Sequence, residues 1–182
     1  MLWQFSNVPA PVVGSTPFDY VCTGLARGYS SSSYNVKGNL LDVDTSFTLQ
    51  EMRYYQNINN LSGNMIVCTV DPNDANRVTS VDFRGAIVPT LSVNGGFGVV
   101  TVPDLAITSG TRILMAVEIT SGTTTTNAGT DYFTSRAAYE AVVQNVTLFR
   151  GYRNRVNPVI ATTPQISTSN EPWALDFKGT VP

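Results

Sequence analysis

Apolar and polar residues along this chain alternate in short runs, and the period is two almost throughout. Phe18-Asp19-Tyr20-Val21-Cys22 is strand-sized, and residues 35–43 and 46–56 predict two more strands. In the latter, Phe47, Leu49, Glu51, Arg53 and Tyr55 fall on one face, and Thr48, Gln50, Met52 and Tyr54 on the other. Asn64-Met65-Ile66-Val67-Cys68-Thr69-Val70 is apolar on both faces, as a central strand would be. It ends in Asp71-Pro72-Asn73-Asp74, a strong turn signal. Residues 77–83 alternate again. Leu91-Ser92-Val93 and Phe97-Gly98-Val99-Val100-Thr101-Val102 flank Asn94-Gly95-Gly96, a hairpin signal because Asn and Gly accept positive φ at little cost. Residues 111–120 form another strand, and Trp173-Ala174-Leu175-Asp176-Phe177 closes the chain.

A few segments break the period. Residues 1–17 are rich in Pro and Gly and read as an extended arm, with Trp3 and Phe5 free to dock on the body or on a neighbour. Gly28-Tyr29-Ser30-Ser31-Ser32-Ser33 and the threonine-rich 121–130 are loops. Residues 135–144 are the one helix candidate, and they could equally run on as strand into Val146-Thr147-Leu148-Phe149. A long irregular stretch is expected after Phe149. Neither a repeat nor a dividing linker interrupts the pattern. The expectation is one all-β domain over residues 1–182: an extended N-terminal arm (1–17) and a two-sheet antiparallel sandwich body (18–182) of jelly-roll type.

Composition narrows what such a body can do. Only 13% of residues are charged, the net charge is −2, and histidine is absent. Without imidazole there is no default general base near neutral pH, no Ser-His-Asp triad and no histidine ligand for zinc, so neither an enzyme nor a cofactor is expected. Lysine occurs only at Lys37 and Lys178, and the first 26 residues carry no basic side chain. That speaks against nucleic acid as a partner, since packaging arms neutralise phosphates with Lys and Arg. Runs such as Ile113-Leu114-Met115-Ala116-Val117 are too short to cross a bilayer, so no membrane partner is expected. The start has no basic n-region, and Pro9 and Pro11 interrupt any apolar core, so it does not read as a secretory signal. Cys22 and Cys68 could pair across a sandwich, but a reducing cytosol favours buried free thiols.

Several groups are candidate sites. Asp71, Asn73, Asp74 and Asn76 crowd oxygen ligands into one turn, as hard cations require, although the same residues cap turns and the full calcium-loop spacing is missing. Arg150-Gly151-Tyr152-Arg153-Asn154-Arg155 places three of the eleven basic residues in six positions around an aromatic. Arg and Tyr combine contact area with directional donors, so Arg150, Tyr152, Arg153 and Arg155, with Trp3 and Phe5, are the expected partner interface. The alternative is a solvated loop. Asp42 and Asp44 would lie on the same strand face, and Asp82 or Glu118 could oppose other carboxylates, although such groups are more commonly solvated strand ends than acid/base couples. Tyr29, Tyr34, Tyr54, Tyr55 and Trp173 could stack on a sugar or pack in the core, and adjacent Tyr54 and Tyr55 must point to opposite faces. Asn60-Leu61-Ser62 and Asn145-Val146-Thr147 match the N-glycosylation pattern, by chance if the chain is cytosolic.

The order of Gly38-Asn39-Leu40-Leu41, the strand ending Met52-Arg53-Tyr54-Tyr55, residues 105–117 around Ser109-Gly110-Thr111, and Pro172-Trp173-Ala174-Leu175-Asp176-Phe177 resembles a family of jelly-roll domains. Such domains occur in bacterial surface proteins, carbohydrate-active enzymes and tailed-phage virion proteins. The resemblance covers residues 34–178 and departs from the family at 132–166. It implies a sandwich used for binding or assembly. The expectation is a virion component made in the host cytoplasm, most simply a capsid decoration (cement) protein. Its partners would be the major capsid or other virion proteins and further copies of itself, a trimer being one closed arrangement. The alternative is a carbohydrate- or receptor-binding module that takes a surface glycan.

Overall fold

The computed structural model describes residues 14–20, 36–56, 62–74, 77–87, 96–121, 142–143, 146–156 and 175–182. The strands are β1 (Thr16–Tyr20), β2 (Val36–Val43), β3 (Phe47–Gln56), β4 (Ser62–Val70), β5 (Val78–Ala86), β6 (Gly96–Ile107), β7 (Arg112–Ser121), β8 (Val142–Val143), β9 (Val146–Thr147), β10 (Phe149–Val156) and β11 (Leu175–Val181). They form a four-stranded sheet in the order β1-β11-β3-β6, a five-stranded sheet in the order β10-β2-β7-β4-β5, and the small pair β8-β9. Every pairing is antiparallel. The chain crosses between the two large sheets from β1 to β2, β2 to β3, β3 to β4, β5 to β6, β6 to β7 and β10 to β11. The result is the expected all-β, two-sheet jelly-roll sandwich.

Between the sheets lies the main core. Phe18, Phe47 and Phe177 meet there, Phe18 standing edge-on to both others with ring centroids 5.8 Å apart. Leu41, Leu49, Met52, Met65, Val67, Met115 and Val117 complete it, all removed from solvent. A second cluster, Leu40, Ile66, Cys68, Val70, Leu114 and Ala116, lies on the opposite face of the five-stranded sheet and is equally buried. This explains the double-sided apolarity of β4, which runs between β7 and β5: Met65 and Val67 serve the main core, Ile66 and Cys68 the second cluster.

Three expectations need correction. First, the alternation of β3 does not run through. Leu49 pairs with Gly179 and Glu51 with Lys178, so Gln50 is an extra residue on β3 and forms a bulge. On the β6 side, Leu49 pairs with Leu105 and Glu51 with Thr101, so β6 bulges as well, with Asp104 at φ 39°. A bulge reverses which residues face inward. Phe47, Leu49 and then Met52 enter the core, while Glu51 and Arg53, expected beside Phe47, form ion pairs on the other face. Second, the arm does not extend to residue 17, because Thr16 and Pro17 already pair with Val181 and Thr180 in β1.

Third, Phe149–Val156 is not irregular. It is strand β10, held by pairing with β2 from Val43 to Lys37. Of the two readings open for residues 135–144, strand holds at the end of the segment, where β-branched Val142 and Val143 form β8 and pair with Val146 and Thr147. Residues 135–141 and 144 lie outside the described residues, as do 91–95 of the expected hairpin. Gly96 itself opens β6 opposite Gln56.

Candidate functional site

The expected interface segment is an edge. Among the described residues β10 is the outermost strand of the five-stranded sheet, and Arg150, Tyr152, Arg153 and Arg155 all lie on it. Its register sets Tyr152 opposite Leu41, Arg153 opposite Leu40 and Arg155 opposite Gly38. Tyr152 and Arg153 therefore occupy alternating positions of the pleat, while Arg153 and Arg155 lie two apart along the strand. Trp3 and Phe5 lie outside the described residues.

One end of the sandwich is closed by two loops that cross between the sheets, residues 44–46 and 108–111. They are bonded to each other. The Gly110 N–H donates to the Val43 carbonyl and the Val43 N–H to the Thr111 carbonyl, each at 2.9 Å. The Ser109 N–H donates to Ser46 Oγ at 2.9 Å, and the Ser109 hydroxyl to the Asp44 carbonyl at 2.6 Å. Gly110 sits at φ 81°, in the region that favours glycine. Beside these loops is an open depression of about 350 Å³ lined by Asp42, Asp44, Pro72, Ser109, Thr111 and Arg112. Arg112 organises it: Nε donates to Asp42 Oδ1 at 2.6 Å and Nη1 to the Pro72 carbonyl at 3.0 Å. Asp42 and Asp44 are thus brought to one place, Asp42 from β2 and Asp44 from the loop after it.

The Asp71 turn lies next to it. Asp71 Oδ1 accepts the Asn73 N–H at 2.8 Å, and Oδ2 stands 3.7 Å from Arg77 Nη1. The Arg77 N–H donates to the Asp74 carbonyl at 2.9 Å. The Asp71 carboxylate thus caps its own turn, while Asn76 lies outside the described residues. No three His, Cys, Asp or Glu side chains converge on one point among the described residues.

Asp82 and Glu118, each a candidate to oppose another carboxylate, are both engaged by donors. Asp82 accepts hydroxyls of Thr69 and Ser80 at 2.6 Å, and Glu118 accepts Asn64 Nδ2 at 2.8 Å and Arg84 at 3.2 Å. Cys68 is a free thiol buried in the second cluster. Burial, then the charge of Asp82, pushes its pKa up to about 12. Cys22, Tyr29, Tyr34 and Trp173 lie outside the described residues. Tyr54 and Tyr55 are consecutive in β3, opposite Leu175 and Phe97 respectively.

Sequence reasoning missed a charge lattice on the four-stranded sheet. Arg53 Nη2 reaches Asp19 at 2.6 Å, Arg53 Nε reaches Glu51 at 2.5 Å, and Lys178 Nζ lies 3.4 Å from Glu51 and 3.7 Å from Asp19. Desolvation alone would lower the Arg53 pKa, but hydrogen bonds and charge from Glu51 and Asp19 outweigh it and raise the value. Only the cross-strand order β1-β11-β3 brings these four residues together. No helix among the described residues is long and apolar enough to cross a membrane. No protein-family model and no curated protein matches this chain.

Proposed function

We propose that this chain is a structural protein of a tailed-phage particle, a decoration protein that binds a preformed shell and stabilises it without chemistry of its own. The observation that carries this reading is the position of β10. Three of the chain's eleven basic residues, with Tyr152 between them, fall on an edge strand of a two-layer sandwich. Arg and Tyr at an edge suit a lasting protein contact, because they supply area and donors from a rigid support. The charges on the four-stranded sheet support the same reading, since they pair with one another across strands rather than converge on a cleft. Repeated attachment to a symmetric shell favours closed oligomers, a trimer among them.

Mass spectrometry and electron microscopy of purified particles test the proposal. The expected outcome is a fixed number of copies per particle on the outer surface, and particles free of the chain would overturn it. Deleting residues 1–13, ahead of β1, is expected to lower particle occupancy several-fold, and full occupancy would remove the arm from the mechanism. The depression at Asp42, Asp44, Ser109 and Arg112 favours a second reading, a glycan- or receptor-binding module, because it gathers donors and acceptors suited to sugar hydroxyls. Glycan-array binding that Arg112→Ala abolishes would support it over the first.

A further inference from the structure

We infer that the outer edge of β10 accepts an extended, Asp/Glu-bearing segment of another protein as an added strand. This rests on the assembly reading and specifies its contact. An exposed edge offers a row of backbone N–H and C=O groups; native sheets blunt edges against any strand with proline or bulges, whereas charges blunt them only against strands that do not carry the opposite charge. Among the described residues the two sheets have four edges, and three of them are blunted. β1 has five residues and contains Pro17. β6 contains Pro103, followed by Asp104 at φ 39° within its bulge. β5 has two register shifts against β4, which leave Asp82 and Thr79 as extra residues.

β10 differs from all three. Its single irregularity lies at its start, between Phe149 and Gly151, and residues 151–156 then run in unbroken register along Asp42 to Lys37 without a proline. Charge selects the occupant. The strand Phe149–Val156 carries Arg150, Arg153 and Arg155 and no carboxylate. Fully overlapping antiparallel pairing of two β10 strands would set Arg150 against Arg155 twice, and like charges directly opposite are destabilising. A second copy is thus a poor occupant, and an acidic strand on a different protein is a good one.

The test uses the full-length chain and a fluorescent peptide of about ten alternating valine and glutamate residues, long enough to span the strand. Expected results are binding by anisotropy and slowed amide exchange at residues 151–156. Binding should weaken about tenfold or more with a Val/Lys peptide, and likewise with a Val/Glu peptide N-methylated at four consecutive residues. Arg153→Glu with Arg155→Glu should weaken it similarly at an unchanged urea midpoint. The inference is overturned if the Val/Glu peptide does not bind, if N-methylation leaves binding unchanged, or if an oligo-dT strand binds more tightly. The peptide arms use unaltered protein, so they decide even if the double variant fails to fold. Particle occupancy is read separately: a particle-bound chain that ignores the peptide would sink strand addition and leave the assembly reading standing.

Discussion

Gly38 and Cys68 show how closely single positions are set. A Cβ added at Gly38 would run into the Ala116 side chain and the Met115 carbonyl, both fixed in β7 opposite. Gly38→Ala is therefore expected to cost about 1–3 kcal/mol by overpacking, read as a lower urea midpoint. Gly14→Ala, with open space around it, should leave the midpoint unchanged. At Cys68 the folded pKa of about 12 lies above the ordinary value of 9.0. Folded chains therefore hold the thiol proton where unfolded chains release it. This contribution to stability is complete below about pH 9 and is lost as pH rises toward 12, at about 1.4 kcal/mol per pH unit. The stability difference between the native chain and Cys68→Ala should shrink by about 1 kcal/mol between pH 9 and pH 10, where the unfolded thiol passes from half to mostly ionised, measured by urea unfolding. An unchanged difference would mean that Cys68 is not desolvated. The sequence placed Cys68 in a strand buried on both faces, but its neighbours Asp82, Arg84 and Glu118 come from other strands.

At the level of the element, the paired bulges of β3 and β6 matter most. Gln50 Nε2 donates to Asp104 Oδ1 at 2.8 Å, across the point where both strands lose register. Asp104→Ala would remove that bond and leave an alanine at φ 39°, an expected loss of about 1–2 kcal/mol. Asp104→Asn keeps an acceptor and tolerates the conformation, so its melting temperature should stay close to native. Equal losses for the two variants would show that the bulge is not held in this way. The strict alternation from Phe47 to Tyr55 predicted a continuous strand, and β3 is one. It assigned Glu51 and Arg53 to the wrong face because a bulge is a property of two strands in register, invisible in either alone. β10 was missed for a related reason. Gly151, Asn154 and three arginines have weak strand preference, and the segment is extended because β2 offers it an edge.

Across the whole molecule, Arg112 ties three parts of the sandwich end: β7, which carries it, Asp42 of β2, and the Pro72 carbonyl in the turn after β4. The Asp42 side chain is about half exposed, so the ion pair itself is screened, and Arg112→Gln should cost only about 1 kcal/mol. The effect should be local, with faster amide exchange at Asp71 and Arg77, whose N–H groups bond within that turn. Uniformly faster exchange would show instead a general loss of stability. By itself, the sequence determined that the chain would be all β, the rough positions of β1 to β7 and β11, and that β4 would be covered on both faces. Those properties follow from a period of two and from turn residues, which act over a few neighbouring positions. Only the tertiary structure decided which strands became edges, which residues faced inward beyond a bulge, and which charges met. Asp42 and Arg112 are 70 positions apart, and Asp19 and Arg53 are 34. Such contacts are chosen by the pairing of strands distant in sequence, and no local pattern encodes that choice.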